Sequence, residues 1–185
     1  RLRRGGLVRP RPHRPRRRQA VTDAIRVRTE RLDLQPIPPA AAAALPDDRA
    51  TAEAELGCTM PPAWPHAALL GILAPQAAAR DGEERFGAWC IVERASAIVI
   101  GDIGFHGPPD ADGLVEVGYR IEPAWRQRGM AGEALAGLLE WVSGDAGVTG
   151  VIACCDPGNV ASIRLLETHG FRRAGERGDE LRWLR

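Results

Sequence analysis

Three small residues, Gly129, Ala131 and Gly132, crowd the loop Glu122-Pro-Ala-Trp-Arg-Gln-Arg-Gly-Met-Ala-Gly132, which runs from an apolar strand into an amphipathic helix. At such a turn backbone N–H groups can close on an anion, and the helix dipole favours negative charge there. The stretch is a candidate pyrophosphate cradle, although turn geometry alone also places glycine here. Further along, Asn159-Val-Ala-Ser162 reads as a helix N-cap with a hydroxyl in the first turn. Glu116 lies between Val115 and Val117, which must point the other way, so its carboxylate belongs to a cleft face or a solvated face of the sheet. Tyr119, the only tyrosine, reads as a packed strand residue, and His106 closes a strand at Gly104-Phe105.

The elements that must hold these residues follow a clear order. Arg31 to Ile37 alternates Leu32 and Leu34 before Pro36, and reads as a short edge strand because proline cannot donate to a ladder. Helices are predicted after Pro39, over Asp47 to Leu56 and over Ala67 to Arg80. Phe86–Glu93 and Ala97–Phe105 form a hairpin turning near Arg94–Ser96, and Leu114–Ile121 adds a third strand. Leu135, Leu138, Leu139 and Val142 recur at helical spacing, predicting a helix over Met130–Ser143. Val148–Cys155 is apolar enough for a strand buried on both faces. A helix from Val160 to His169 ends at Gly170, and strands over Phe171–Glu176 and Glu180–Leu184 finish the chain. Helices, a meander and a strand-helix-strand-helix-strand tail predict an α+β domain on a mixed sheet.

Composition narrows the chemistry. The 185 residues carry a net charge of +1, but all 25 basic residues are arginine, and nine of them fall in the first 18 positions. Residues 21–185 therefore hold 16 arginines against 24 acids. The absence of lysine excludes a Walker A loop and a pyridoxal Schiff base, and no two glycines stand in the G-x-G spacing of a dinucleotide fingerprint. Cys58, Cys90, Cys154 and Cys155 lack metal-ligand spacing, and they read as buried thiols of a cytoplasmic protein with no metal. No run approaches 18 apolar residues, so no membrane association is expected. Residues 1–20, rich in Arg and Pro, are expected to be a disordered extension with little function, and 21–185 a single domain.

Several ordered matches give these features a common reading. Arg126-Gln-Arg-Gly129-Met-Ala131 is similar to the Q/R-x-x-G-x-G/A signature of the GNAT superfamily of acyl-CoA N-acyltransferases. Asn159-Val-Ala-Ser162 followed by Gly170-Phe171 resembles that family's N-x-x-S and GF segment, especially in the branch that acetylates ribosomal-protein N-termini. Arg28-Thr-Glu-Arg31-Leu-Asp-Leu and Glu116-Val-Gly-Tyr119-Arg are similar to the same branch. The resemblance, over about residues 26 to 176, implies a mostly antiparallel sheet flanked by helices, in which the Leu114–Ile121 and Val148–Cys155 strands are parallel neighbours that splay apart.

Acetyl-CoA would lie in that opening as co-substrate, with its pyrophosphate on Arg126, Arg128, Gly129, Met130, Ala131 and Gly132, and with Asn159 also in contact. The implied reaction is direct attack of a primary amine, on a protein N-terminus or a small molecule, on the thioester. A base must then take a proton, and the leaving thiolate benefits from a donor. Glu116 is the candidate base and Ser162 the candidate donor to the CoA sulfur. His106 and Trp64, with His66, are candidates for shaping the acceptor side. The alternative is an inactive acyl-CoA-binding sensor. Nucleic acid enters as a partner only through the Arg-rich tail, and a homodimer is compatible with the sequence.

Overall fold

Leu32, Leu34 and Pro36 are buried while Asp33 and Gln35 are half-exposed, the period of two that packs one strand face on a core. The computed structural model describes residues 25–80 and 82–185, so the expected Arg-rich extension lies outside the described residues. The strands are β1 (Val27–Arg28), β2 (Leu32–Pro36), β3 (Ala88–Glu93), β4 (Ile98–Phe105), β5 (Leu114–Ile121), β6 (Gly150–Cys155), β7 (Arg172–Arg177) and β8 (Glu180–Leu184). The helices are α1 (Pro39–Ala44), α2 (Arg49–Leu56), α3 (Ala67–Ala77), α4 (Met130–Val142) and α5 (Val160–Thr168). Every strand belongs to one sheet of order β1-β2-β3-β4-β5-β6-β8-β7. All its pairs are antiparallel except β5 with β6.

Two cores lie on the two faces of this sheet. Trp89, Ile91, Ile100, Ile103, Val115 and Val117 pack against Leu135, Leu138 and Leu139 of α4 and Leu166 of α5. On the opposite face Ala88, Cys90, Val92 and Val99 pack against Ala41 of α1, Leu56 of α2, and Leu69 and Leu73 of α3. This second cluster includes Trp64, fully buried in the segment before α3. The β5-α4-β6 crossover explains why the one parallel pair stands where it does, since a helix is needed to carry the chain back between parallel strands.

Two expectations about elements change, and with them one about the cysteines. The Leu32–Pro36 strand is interior, because the two-residue β1 covers its outer side with Val27 opposite Leu34, and Pro36 is tolerated at the strand end opposite Trp89. Strand β6 is not buried on both faces: Val151, Ala153 and Cys155 are buried while Gly150, Ile152 and Cys154 are half-exposed. The helices α1 to α3 cover β2 to β4 and do not extend over β6, which leaves one side of β6 open. For the same reason Cys154 is half-buried, and Cys58 is also only half-buried, while Cys90 and Cys155 are buried as expected.

Candidate active site

The register of the parallel pair creates an opening in the sheet. Strands β5 and β6 pair from Leu114 opposite Gly150 to Val117 opposite Ala153 and no further. Past that point Gly118 to Ile121 are held by β4, and Cys154 and Cys155 by β8. On the β4 side, His106 N–H donates to Glu116 O and Glu122 N–H to Ile100 O, each at 2.9 Å. The alternation of an antiparallel ladder then turns the peptide groups of Glu116, Gly118 and Arg120 toward β4, and those of Tyr119 and Ile121 toward the opening. Arg126 Nε donates to Ile121 O at 2.9 Å, so this side chain ties the following loop to the strand end.

At one side of the opening α4 begins without a side-chain cap. Its N-cap, Gly129, sits at φ 76°, a left-handed conformation that glycine enters without a Cβ penalty. The first N–H groups of α4 therefore have no side-chain acceptor at the cap, the arrangement that suits an anion. Arg31, just before β2, braces this loop: its guanidinium donates to Arg128 O at 3.0 Å and to Glu133 Oε2 at 2.7 Å. Glu133, in the first turn of α4, also accepts from Thr29 Oγ1 at 2.5 Å and from Arg31 N–H at 2.6 Å. Burial pushes the Glu133 carboxyl up, but the bonds from Thr29 and Arg31 outweigh it and leave the group below its ordinary value. Arg128 lays its guanidinium over the Trp125 ring, 5.1 Å from the centroid. Met130 is buried beneath the loop, and Ala131 and Gly132 are half-buried.

Across the opening Asn159 caps α5, its Oδ1 accepting from Ser162 N–H at 3.1 Å. The Ser162 hydroxyl lies 2.6 Å from the Tyr119 hydroxyl, so α5 and β5 are joined by a hydrogen bond where the strands have parted. Burial raises the Tyr119 phenol above its ordinary value, and the bond to Ser162 only partly offsets that. Tyr119 is thus both a packed strand residue, as its sequence suggests, and a partner of Ser162, which its sequence does not reveal.

Glu116 and Tyr119 are three residues apart and face opposite sides of the sheet. Arg177, at the end of β7, reaches Glu116 with both guanidinium nitrogens at 2.6 and 2.8 Å. His106 Nδ1 lies 3.3 Å from Glu116 Oε1. Burial pushes the Glu116 carboxyl up, but Arg177 and His106 together more than reverse this, leaving it below its ordinary 4.5. Beside this cluster Gly104 stands opposite Gly118, whose Cβ position is covered by the His106 ring, and beyond them Asp102 stands opposite Arg120. Asp102 accepts from Trp64 Nε1 at 3.0 Å and lies 3.1 Å from His66 Nε2. His66 Nδ1 meanwhile accepts from Leu69 N–H as the cap of α3, which assigns the His66 proton to Nε2. Burial pushes the Asp102 carboxyl up, with His66 and Trp64 opposing. Trp64 therefore does not itself line an open surface; it acts on this face through Asp102.

A separate groove of about 1160 Å³ runs between Gly71, Ile72 and Pro75 of α3, the segment 82–88 and residues 105–109. Neither Gly129 nor Ser162 lines it, and His106 is the residue that connects its wall to Glu116.

The acetyltransferase (GNAT) domain model matches this chain over residues 31–172. The chain belongs to the GNAT acetyltransferase family. Among curated relatives of this GNAT protein, the uncharacterized N-acetyltransferase YjdG of Bacillus subtilis is 29% identical over 104 residues, 56% of this chain and 62% of that protein. L-2,4-diaminobutyric acid acetyltransferase of Streptomyces avermitilis is 38% identical over 56 residues, 30% of this chain and 31% of that protein. The chain thus spans between about a third and three-fifths of these two relatives. Among solved structures, the ribosomal-protein-S5-alanine acetyltransferase of Vibrio fischeri superposes with a TM-score of 0.64 at 15% identity, covering 87% of this chain and 96% of that one. An acetyltransferase of Agrobacterium tumefaciens gives 0.60 at 20% identity, with 98% of both chains covered. At these identities the likeness is one of fold, and it agrees with the mixed sheet and its single parallel pair.

Arg177 and Asp102 are the residues that sequence reasoning passed over. Arg177 sits beside the Gly178-Asp179 turn of a hairpin, and nothing local indicates that it folds back on Glu116. Asp102 did carry a signal, an acid inside the apolar run Ile98-Val-Ile-Gly-Asp-Ile-Gly-Phe105.

Proposed function

We propose that this GNAT protein moves an acetyl group from acetyl-CoA to a primary amine, by direct attack within a ternary complex. The observation that carries the reading is the parting of β5 and β6 after Val117 and Ala153, with the uncapped start of α4 on one side and the Tyr119–Ser162 pair on the other. These residues fit an acyl-CoA. The N–H groups from Gly129 to Gly132 would hold the pyrophosphate, with Arg128 adding charge and Arg126 fixing the loop. The Tyr119 peptide, turned toward the opening, would pair with the pantetheine arm. Acetyl-CoA supplies the activated acyl group, and the chain supplies orientation and proton handling.

Ser162, oriented by Asn159 and bonded to Tyr119, would donate a hydrogen bond to the sulfur of the departing thiolate. On the opposite face Glu116, with His106 and Arg177, marks where the amine proton would go. Trp64 and His66 would set the far wall of the acceptor side by holding Asp102. The acidic balance of residues 21–185 favours a cationic acceptor, and the relative named for L-2,4-diaminobutyric acid is of that kind. A protein N-terminal amine is the other acceptor class that the Vibrio fischeri structure brings forward.

Thiol release from acetyl-CoA tests the reading, with L-2,4-diaminobutyrate and an alanine-initiated peptide as acceptors. Release that depends on an amine and falls in Ser162→Ala supports it. Binding of acetyl-CoA with no transfer to any amine would favour the sensor reading.

A further inference from the structure

We propose that Arg31 is a positioning residue of the acyl-CoA cradle: by holding Arg128 O it presents the Gly129 N–H to the ligand, and Glu133 is the carboxylate that aims its guanidinium. The inference rests on the acetyltransferase reading and gives a role in it to a residue 97 positions before Arg128.

The peptide between Arg128 and Gly129 is trans and planar, so its C=O and N–H point in opposite directions. Arg31 Nη1 donates to Arg128 O at 3.0 Å, which directs the Gly129 N–H away from Arg31. A Cβ built on Gly129 would stand 3.5 Å from Arg31 Nη2, so the guanidinium also closes the side of the turn on which a side chain would sit. Free donors remain: no backbone N–H from Gln127 to Gly132 meets a backbone or side-chain acceptor among the described residues.

This turn does not hold itself. Gln127 and Gly129 are left-handed, at φ 59° and 76°, and Arg128 between them is not. Alternation of this kind makes neighbouring N–H groups converge into an anion-binding hollow. Glycine enters the left-handed region freely, but Gln127 carries a Cβ and enters it against a steric cost. Two side chains keep it there. Arg126 Nε ties the chain before Gln127 to Ile121 O, and Arg31 ties the peptide after it.

Glu133 leaves Arg31 little freedom. Its Oε2 accepts from Arg31 Nε at 2.7 Å and its Oε1 from Arg31 N–H at 2.6 Å, so one carboxylate grips both the backbone and the side chain of Arg31. Glu133 lies in the first turn of α4, so the helix whose N–H groups face the ligand also carries the acid that orders the loop before it. Without Arg31 the Arg128–Gly129 peptide is free to rotate and Gln127 to relax. Only a fraction of molecules then presents the cradle, and the apparent affinity for acetyl-CoA falls by that fraction.

The test is acetyl-CoA binding by calorimetry on the full chain, with kinetics and backbone NMR beside it. Arg31→Gln should raise Kd by about tenfold or more while kcat stays within about threefold, because preorganisation is lost and the reacting groups are not. Arg31→Lys should lose nearly as much, since an ammonium keeps the charge but lacks the fork that spans Arg128 O and Glu133. Wild-type affinity in Arg31→Lys would mean that charge alone suffices, and would overturn the proposal. Glu133→Gln should also raise Kd, although it removes a negative charge near the phosphates; a lowered Kd would overturn the proposal. Without any ligand, the Gly129 amide should be ordered in the wild type and mobile in Arg31→Gln and Arg31→Lys. An amide equally ordered in all three would overturn the proposal even if acetyl-CoA does not bind. Failure of the wild type to bind acetyl-CoA would instead contradict the transferase reading, with the ordering of Gly129 by Arg31 still measurable.

Discussion

The hydroxyls of Tyr119 and Ser162 lie 2.6 Å apart, and they join a strand to a helix where that strand has lost its partner on one side. Removing one hydroxyl leaves the other half-buried and unpaired, which costs about 1 kcal/mol of stability. Ser162→Ala and Tyr119→Phe should each destabilise by about that amount, and the double variant by less than their sum. Denaturant unfolding of the three variants checks this. Strict additivity would mean that the two hydroxyls do not interact.

Arg177 holds Glu116 below the ordinary carboxylate value, and Glu116 in turn raises the Arg177 guanidinium further above its own. In Arg177→Gln the Glu116 carboxyl should therefore titrate at a higher pH than in the wild type. A carboxyl-carbon NMR titration reads this directly. An unchanged Glu116 titration would mean that the pair does not persist in solution.

Glu133 ties the start of α4 to Thr29 and Arg31. Glu133→Gln should cost about 1.5 to 3 kcal/mol at neutral pH, in the range for bonds to a charged acceptor. Its native pKa lies below the ordinary 4.5, so the charge-dependent stability is complete above that value and is lost as pH falls through the native one. The gap between wild type and Glu133→Gln should therefore narrow below about pH 4.5. Asp102, raised by burial, contributes with the opposite sign, since its charged form is the costly one.

Gln76 is a buried amide in α3 that closes the sheet start: it donates to Ile37 O and Ala88 O at 2.7 and 2.8 Å and accepts from Ala88 N–H at 2.7 Å. Gln76→Leu removes the partner of Ile37 O and Ala88 N–H, each costing about 1 to 3 kcal/mol, while Ala88 O still accepts from Ile37 N–H. The variant should be among the least stable single substitutions outside the apolar core. A thermal midpoint close to wild type would show that water satisfies those groups.

Local patterns in the sequence carried most of the fold. Periods of two and 3.6, with Asn159 at a cap and Gly129 and Gly170 at left-handed positions, were enough to place the strands and helices that flank the opening. What local pattern could not carry was pairing at a distance. The two residues of β1 are too short to register as a strand, yet they make Leu32–Pro36 an interior strand. The strand face of Glu116 was open in the sequence because alternation defines two faces without saying what covers each. Arg177 meets Glu116 across 61 positions of the chain, a relationship that only the β6-β8-β7 order creates.

The central claim is that the start of α4 beside the parted strands holds acetyl-CoA, and the most direct measurement is the thermal midpoint with and without it, in the wild type and in Gly129→Glu. Ligand at about 100 times its dissociation constant should add about 2.7 kcal/mol, a shift of several degrees for a chain of this size. The account predicts that shift in the wild type and its loss in Gly129→Glu, measured against each protein's own midpoint without ligand. No shift in the wild type at millimolar acetyl-CoA would contradict it.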